Sequence, residues 1–404
     1  MILPEKIRRL DVHISNERGG ELWQQSQLLF KYLRDDPAQV AVGLLMPPTR
    51  LLYQSNNLFP VMDQNLPEGF LFQQIRASFP KQPLTAMHLL ALIGDNGIGR
   101  LGFRVPEAEA TQPVRPLSRT ELLRTAYSPE VFGALVRAYL STGIGIAGVQ
   151  PKIMVPDRAT VPVPNLIVKA GSESFPGLAA NEFLCLSAAR RAGIETPVFD
   201  LSDDGQLLLI DRFDLDESDK RLGFEDVASL MGLCVRDTLS DRKYQGSYEQ
   251  IAESLKMIGL PARDLLRFFE QVALTVMVSN GDGHLKNFGV LYSSEKDIRL
   301  SPLYDVVTTS IYRYTRYEGG PELEDRTLAL RLLRKSRSKA YPLREELIHF
   351  GRAVCGVEQP DQILQRIAAG MNETLVQAGV DERIPRQILN DCSSVWQQGM
   401  FRND

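Results

Sequence analysis

Apolar and polar positions divide the chain into stretches of different character. From Leu10 to about Pro106, short apolar runs such as VAVGLLM and AMHLLALIG are punctuated by Pro, Asn and Gly, which predicts a small domain of mixed strands and helices. The polar segment PEAEATQPVRPLSRTEL, residues 106 to 122 with three prolines, has the composition of a linker and marks a boundary. PEVFGALVRAYLS, residues 129 to 141, is apolar at helical spacing, and the strand-like segments KIMV and NLIVK follow a glycine-rich turn. GLAANEFLCLSAARRAGI, residues 177 to 194, has helical periodicity and ends on Gly193 as a C-cap, after which QLLLIDRFD reads as a buried strand. Beyond Asp214 the pattern turns helical, in FEDVASLMGL, SYEQIAESLKMIGL and PARDLLRFFEQVALTVMVSN, with Pro261 in the first turn of the last. Apolar residues at 265, 268, 269, 272, 276 and 277 make that last segment a core helix. NFGVLY and DIRLSPLYDVV then suit two strands of a hairpin around SSEKD, and the remaining 60 or so residues read as two or three helices.

Composition narrows the class. The chain has 404 residues, 44% apolar and 24% charged, which is ordinary globular composition and length enough for two or three domains. With 46 basic against 50 acidic side chains, the net charge of -4 gives no strong pull toward nucleic acid or anionic lipid, so any such contact is local. Cys185, Cys234, Cys355 and Cys392 are far apart and form no C-x-x-C pair, which argues against a zinc site and suits a reducing compartment, the cytoplasm. No run of 18 apolar residues occurs, and MILPEKIRRLDVHI has too short an apolar stretch and too many charges for a signal peptide.

The densest chemistry is Asn280-Gly281-Asp282-Gly283-His284-Leu285-Lys286-Asn287-Phe288, at the end of the core helix and ahead of the hairpin. Phosphoryl transfer needs a carboxylate to orient and deprotonate the attacking hydroxyl, and a metal-binding oxygen close by to neutralise phosphate charge. Asp282 and Asn287 have the D-x-x-x-x-N spacing of a kinase catalytic loop. Asp305, in SPLYDVV 18 residues past Asn287, stands where a hairpin would return a second metal carboxylate. Alternatively, Asn280 and Asp282 are turn formers beside Gly281 and Gly283.

Gly143-Ile144-Gly145-Ile146-Ala147-Gly148, followed by Val149, Gln150 and Lys152, would let backbone N–H groups approach phosphate oxygens. A helix precedes it and the strand-like KIMV follows, the reverse of the order a dinucleotide fingerprint wants, so a phosphate-covering hairpin fits better. Lys169, in NLIVK about 20 residues later, has the place of a kinase's nucleotide lysine, or is a surface lysine at a strand end. Glu182 could pair with Lys169 or be a solvated helix residue. The second glycine-rich stretch, Gly94 to Gly102, has no lysine-bearing strand or catalytic loop after it within its domain and reads as a turn. His13, His88 and His349 are isolated and carry no role. Arg331, Arg334, Lys335, Arg337, Lys339 and Arg344 form the dense basic stretch, a solvated face or a surface for an acidic protein or a nucleic-acid backbone.

Taken together, IAGVQPK, NEFLCL, LLLIDRFD, NGDGHLKNFGVL and SPLYDVV resemble the HipA family of bacterial toxin kinases, and NLPEG at 65 to 69 resembles the small domain those proteins carry ahead of the kinase. The resemblance implies an α+β, two-lobed protein-kinase-like fold of HipA type with a small mixed N-terminal domain and a mostly helical C-terminal lobe. It implies an N-terminal domain over 1–110, a kinase N-lobe over 111–212 and a C-lobe over 213–404. By the same resemblance Asp282 would be the catalytic base, with His284 and Lys286 beside the γ-phosphate and Asn287 and Asp305 as magnesium ligands. ATP would be held by Gly145, Ala147, Gly148, Val149, Gln150, Lys152, Lys169, Asp211, Arg212, Phe213 and Asn287. The implied activity is serine/threonine phosphorylation of an aminoacyl-tRNA synthetase, halting translation, with a HipB-like helix-turn-helix antitoxin as partner and DNA met only through it. One departure stands out: Gly145 occupies the place of the serine whose self-phosphorylation switches family members off, with Ser141 and Thr142 shortly before it. A small-molecule phosphotransferase and a weakly active antitoxin-binding corepressor are the competing readings.

Overall fold

The structure is a computed structural model describing residues 4–33, 40–106, 118–128, 133, 152–155, 164–171, 175–234, 240–315 and 320–400. The helix predicted over 129–141, Gly133 apart, and the glycine loop at 143–150 lie outside the described residues. The chain divides into two compact units.

The first unit comprises Met1–Ala170, Leu209–Arg242 and Gly289–Ile298. It contains a five-stranded antiparallel sheet in the order Leu52–Ser55, Leu28–Tyr32, Glu17–Gln24, Arg9–Ile14, Leu101–Arg104. In Arg9–Ile14 the buried residues Leu10, Val12 and Ile14 alternate with half-exposed ones, so the period-two pattern of RLDVHI turns one face into the core. The helix Ala86–Ile93 packs on this strand and opens with a capping box between Thr85 and His88, which gives that histidine a structural task. Elsewhere in the unit, Lys152–Val155 runs antiparallel to Leu166–Ala170, and Gly223–Asp226 antiparallel to Gly289–Tyr292.

The Gly94 to Gly102 loop is a turn with a specific clasp. Arg221 donates to the carbonyls of Asp95, Gly97, Gly99 and Leu101 at 2.7 to 3.0 Å, and Arg212 to that of Gly97 at 2.9 Å. Asp214 accepts from Gly99 N–H at 2.6 Å and pairs with Arg212 at 2.6 Å. All three charged side chains are buried. Burial alone would raise the Asp214 carboxyl, but Arg212 holds it below the ordinary aspartate range.

The second unit, Gly171–Leu208, Lys243–Phe288 and Arg299–Asp404, is mainly helical. Its core helix runs Ala262–Met277 with Pro261 as N-cap, and Leu265, Phe268, Phe269, Val272, Val276 and Met277 are all buried, as the periodicity predicts. Pro360–Ala378 lies against Leu178–Arg191 at Gly370, where a Cβ would stand 2.8 Å from Ala192 N. Arg386–Met400 meets the end of the core helix at Gly399, whose missing side chain makes room for the Met277 carbonyl. With Arg344–His349 these make three helices near the C-terminus, where two or three were expected.

Two segments differ from expectation. SRTEL, assigned to a linker, is the start of a helix, Arg119–Arg124, whose capping box joins Ser118 and Glu121: the hydroxyl accepts from Glu121 N–H at 3.1 Å and the carboxylate from Ser118 N–H at 3.0 Å. FEDVASLMGL begins as the strand Gly223–Asp226, because pairing with Gly289–Tyr292 overrides its local helical preference; only Val227–Leu230 is helical, capped by Asp226. Among the described residues no helix is long and apolar enough to cross a membrane, and the four cysteines are buried.

Candidate active site

The end of the core helix builds the site. Ser279 N–H donates to Val276 O at 3.1 Å and Asn280 N–H to Thr275 O at 2.9 Å, the two bonds of a Schellman closure. Ser279 takes the left-handed position of that motif, with φ of 55°, where glycine is usual. The chain therefore leaves the helix sharply, and Asn280 Oδ1 accepts from Asp282 N–H at 3.0 Å. His284 N–H donates to Asp282 O at 2.8 Å and to Asn287 Oδ1 at 2.9 Å, while Asn287 N–H returns to His284 O at 3.0 Å. Phe288 then buries itself between Phe268 and Tyr248, with ring centroids 5.3 and 5.8 Å away.

Neither Gly281 nor Gly283 has a positive φ. They supply space: a Cβ on Gly281 would stand 2.7 Å from Thr327 O, and one on Gly283 2.8 Å from Thr275 Cγ2. Close packing, more than turn conformation, accounts for glycine at both positions.

Asp282 is exposed as a residue, and Tyr244 donates its hydroxyl to Oδ1 at 2.7 Å. The Tyr244 ring stands edge-on to His284 at 5.1 Å, with the Lys243 ammonium 5.4 Å from its centroid. Lys339 Nζ donates to the carbonyl of Tyr244 at 2.9 Å. The surrounding atoms desolvate the Asp282 carboxyl and raise its pKa; the Tyr244 hydrogen bond and Lys243 oppose this, and the charges of Asp305 and Asp325 reinforce it. His284 and Asn287 are buried and Lys286 half-buried.

Asp305 has φ of 56°, the second non-glycine residue of this site in the left-handed region. Tyr304 donates to Lys286 O at 2.8 Å. Asn181 holds Thr308 through both backbone groups, accepting from its N–H at 2.9 Å and donating to its carbonyl at 3.0 Å. Thr309 Oγ1 accepts from Gly281 N–H at 2.6 Å and donates to Ser279 O at 3.2 Å. The second unit thus brings Asp282, His284, Lys286 and Asn287 onto one loop and ties the segment after Asp305 to it. This donor set suits a hard cation that keeps several waters: Asn287 Oδ1 retains a lone pair beyond its bond to His284, and Asp305 and Asp282 repel one another in a way a divalent ion would relieve. Among the described residues no group of three or more His, Cys, Asp or Glu is arranged to hold a metal by itself.

The remaining expected nucleotide residues belong to the first unit or lie outside the described residues. Gly145, Ala147, Gly148, Val149 and Gln150 are outside, and of Lys152 only the backbone, opposite Lys169, is described. Lys169 is buried in its strand. Asp211 forms an ion pair with Arg119, and Phe213 stacks edge-on against Phe224 at 5.6 Å. The Arg212 guanidinium is committed to Asp214, Gly97 O and Pro164 O, so its side chain serves the fold of its own unit.

Several residues escape the sequence reading. Tyr244 lies 38 positions before Asp282, and no local pattern marks it. Thr309, Asn181 and Lys339 likewise act across long separations. Part of the dense basic stretch is spent internally: Arg344 pairs with Asp361 and Lys339 binds backbone carbonyls, while Arg334, paired with Glu253, is exposed along with Lys335 and Arg337.

Two family models match the chain, one described as a HipA-like C-terminal domain over residues 144–378 and one as a HipA N-terminal domain over residues 10–104. Among curated proteins, the kinase candidate Y4dM of Sinorhizobium fredii is 31% identical over 199 residues, 46% of this chain and 44% of that protein. A kinase candidate of Haemophilus influenzae is 28% identical over 246 residues, 56% of this chain and 66% of that one. The matches therefore span from under half to about two thirds of these relatives' lengths. Among solved structures, HipA of Shewanella oneidensis, determined with HipB and operator DNA, superposes with a TM-score of 0.66 at 17% identity, covering 96% of each chain.

Proposed function

The chain belongs to the HipA family, and we propose that it is an ATP- and magnesium-dependent serine/threonine protein kinase. The observation that carries this reading is the single short loop that presents the Asp282 carboxylate and, five residues on, the Asn287 amide oxygen, stitched to the segment that follows Asp305. Bound magnesium and ATP would supply the transferable phosphoryl group and the neutralisation of its charge, with Asn287 and Asp305 as the ligands on this chain. Asp282 orients the acceptor hydroxyl and takes its proton, and its raised pKa makes it a stronger base than an ordinary aspartate. His284 and Lys286 lie on the same loop and bind the γ-phosphoryl oxygens. Lys169, Lys152 and the glycine loop at 143–150 hold the remaining phosphates. The resemblance to HipA supports an aminoacyl-tRNA synthetase as acceptor and arrest of translation as the outcome. The Shewanella HipA was solved with HipB and operator DNA, which supports a HipB-like antitoxin as partner here and contact with DNA through it.

The test is transfer of labelled γ-phosphate from ATP with magnesium in a bacterial lysate, wild type against Asp282→Asn. A protein band labelled by the wild type, and weaker by about 100- to 10,000-fold with the variant, supports the reading and identifies the acceptor. A chain that binds ATP but labels no protein would direct attention to small-molecule acceptors or to a corepressor role.

A further inference from the structure

We propose that Tyr244 is a positioning residue for Asp282: its hydroxyl holds Oδ1 and so turns Oδ2 toward the acceptor. This deepens the kinase reading and rests on it. A carboxylate on a short loop rotates about its Cβ–Cγ bond, and a single strong donor at 2.7 Å removes that freedom. The donor must itself be fixed to do so. The Tyr244 ring has His284 at its edge and Lys243 near its face, and its backbone is held by Lys339, which also donates to Ala329 O at 2.5 Å. Lys339 thus ties the Tyr244 segment to the segment around Thr327 and Ala329, and the Thr327 carbonyl lies against Gly281 of the Asp282 loop. The tyrosine is braced from three directions, as an orienting group requires and a swinging gate does not. Preorganisation of this kind acts on the chemical step more than on substrate binding.

The experiment compares wild type with Tyr244→Phe, using the full chain, magnesium-ATP and the acceptor protein isolated from the labelled lysate band. Phenylalanine keeps the ring and its contact with His284. The expected result is a loss of about 10-fold or more in kcat, with KM for ATP and acceptor within about twofold of wild type. In an Asp282→Ala background, Tyr244→Phe should cause no further loss, because Tyr244 acts only through that carboxylate. Should the phenylalanine variant melt early, the double variant decides: a structural loss persists in the alanine background and a positioning loss vanishes. Unchanged kcat, a change confined to KM, an additive loss or faster transfer would each overturn the proposal. A wild type that transfers no phosphate under any condition removes the kinase reading itself.

Discussion

The Thr309 hydroxyl accepts a hydrogen bond from the backbone N–H of Gly281 at 2.6 Å, joining the loop of Asp282 to the segment that follows Asp305. The same oxygen donates to Ser279 O at the left-handed turn that ends the core helix. One side chain thus joins the loop that carries Asp282 to the segment that follows Asp305.

Thr309→Val preserves the shape of that side chain and strands the Gly281 N–H. We expect a loss of about 1 to 2 kcal/mol in denaturant unfolding and a fall in phosphate transfer, with Thr309→Ser restoring both. Equal unfolding midpoints for the valine and wild-type proteins would show that the bond carries no stability.

The pH response follows from the raised Asp282 carboxyl. A base works only when ionised, so transfer should decline as pH falls through a midpoint above the ordinary aspartate value of about 3.9. For stability the sign is fixed by linkage: the folded state binds this proton more tightly than the unfolded one. The stability contributed by Asp282 is therefore present below the ordinary aspartate range and lost as pH rises through the raised pKa. Asp282→Asn should accordingly melt at a higher temperature than wild type at pH 7, with the difference shrinking in acid. A lower melting temperature for the variant at pH 7 would contradict the desolvation of that carboxyl, which Asp305 and Asp325 reinforce.

Arg212, Asp214 and Arg221 form a buried network around the Gly94 to Gly102 loop. Arg212→Ala leaves the buried Asp214 carboxylate without its guanidinium partner and the Pro164 carbonyl without that donor, and should cost on the order of 3 to 5 kcal/mol. Arg212→Lys should recover little, since a point charge cannot serve Asp214, Gly97 and Pro164 at once. Asp214 has its pKa held down, so its contribution is present above the ordinary aspartate range and lost as pH falls through the depressed value. Equilibrium unfolding at neutral and acid pH checks both statements.

Gly281→Ala separates the two explanations of the glycines in the Asp282 loop. Backbone conformation alone would admit alanine, because φ at 281 is not positive. The Thr327 carbonyl, 2.7 Å from where the Cβ would stand, makes the substitution an overpacking instead. We expect a loss of about 1 to 3 kcal/mol in unfolding free energy together with a fall in transfer of about 10-fold or more, measured on the same preparation.

What could be read along the chain was what short-range physics governs. Leu265, Phe268, Phe269, Val272, Val276 and Met277 announce the core helix because one face of a 3.6-residue period must be buried. The strands Lys152–Val155, Leu166–Ala170 and Leu207–Asp211 and the helix Leu178–Arg191 follow from period and caps in the same way. Asp282 and Asn287 could be found because their partners, Asn280 and His284, lie within three residues. The Ser118–Glu121 capping box was equally local, and the prolines around it concealed it. Gly223–Asp226 is different: four residues ahead of a helical pattern become a strand only because Gly289–Tyr292 arrives beside them. Tyr244, Asn181, Thr309 and Lys339 reach their partners across 28 to 127 residues, separations over which no pattern of spacing survives. Helical and strand periods arise from each segment's own backbone, whereas the partner of a distant hydroxyl or ammonium is chosen by the packing of the whole unit.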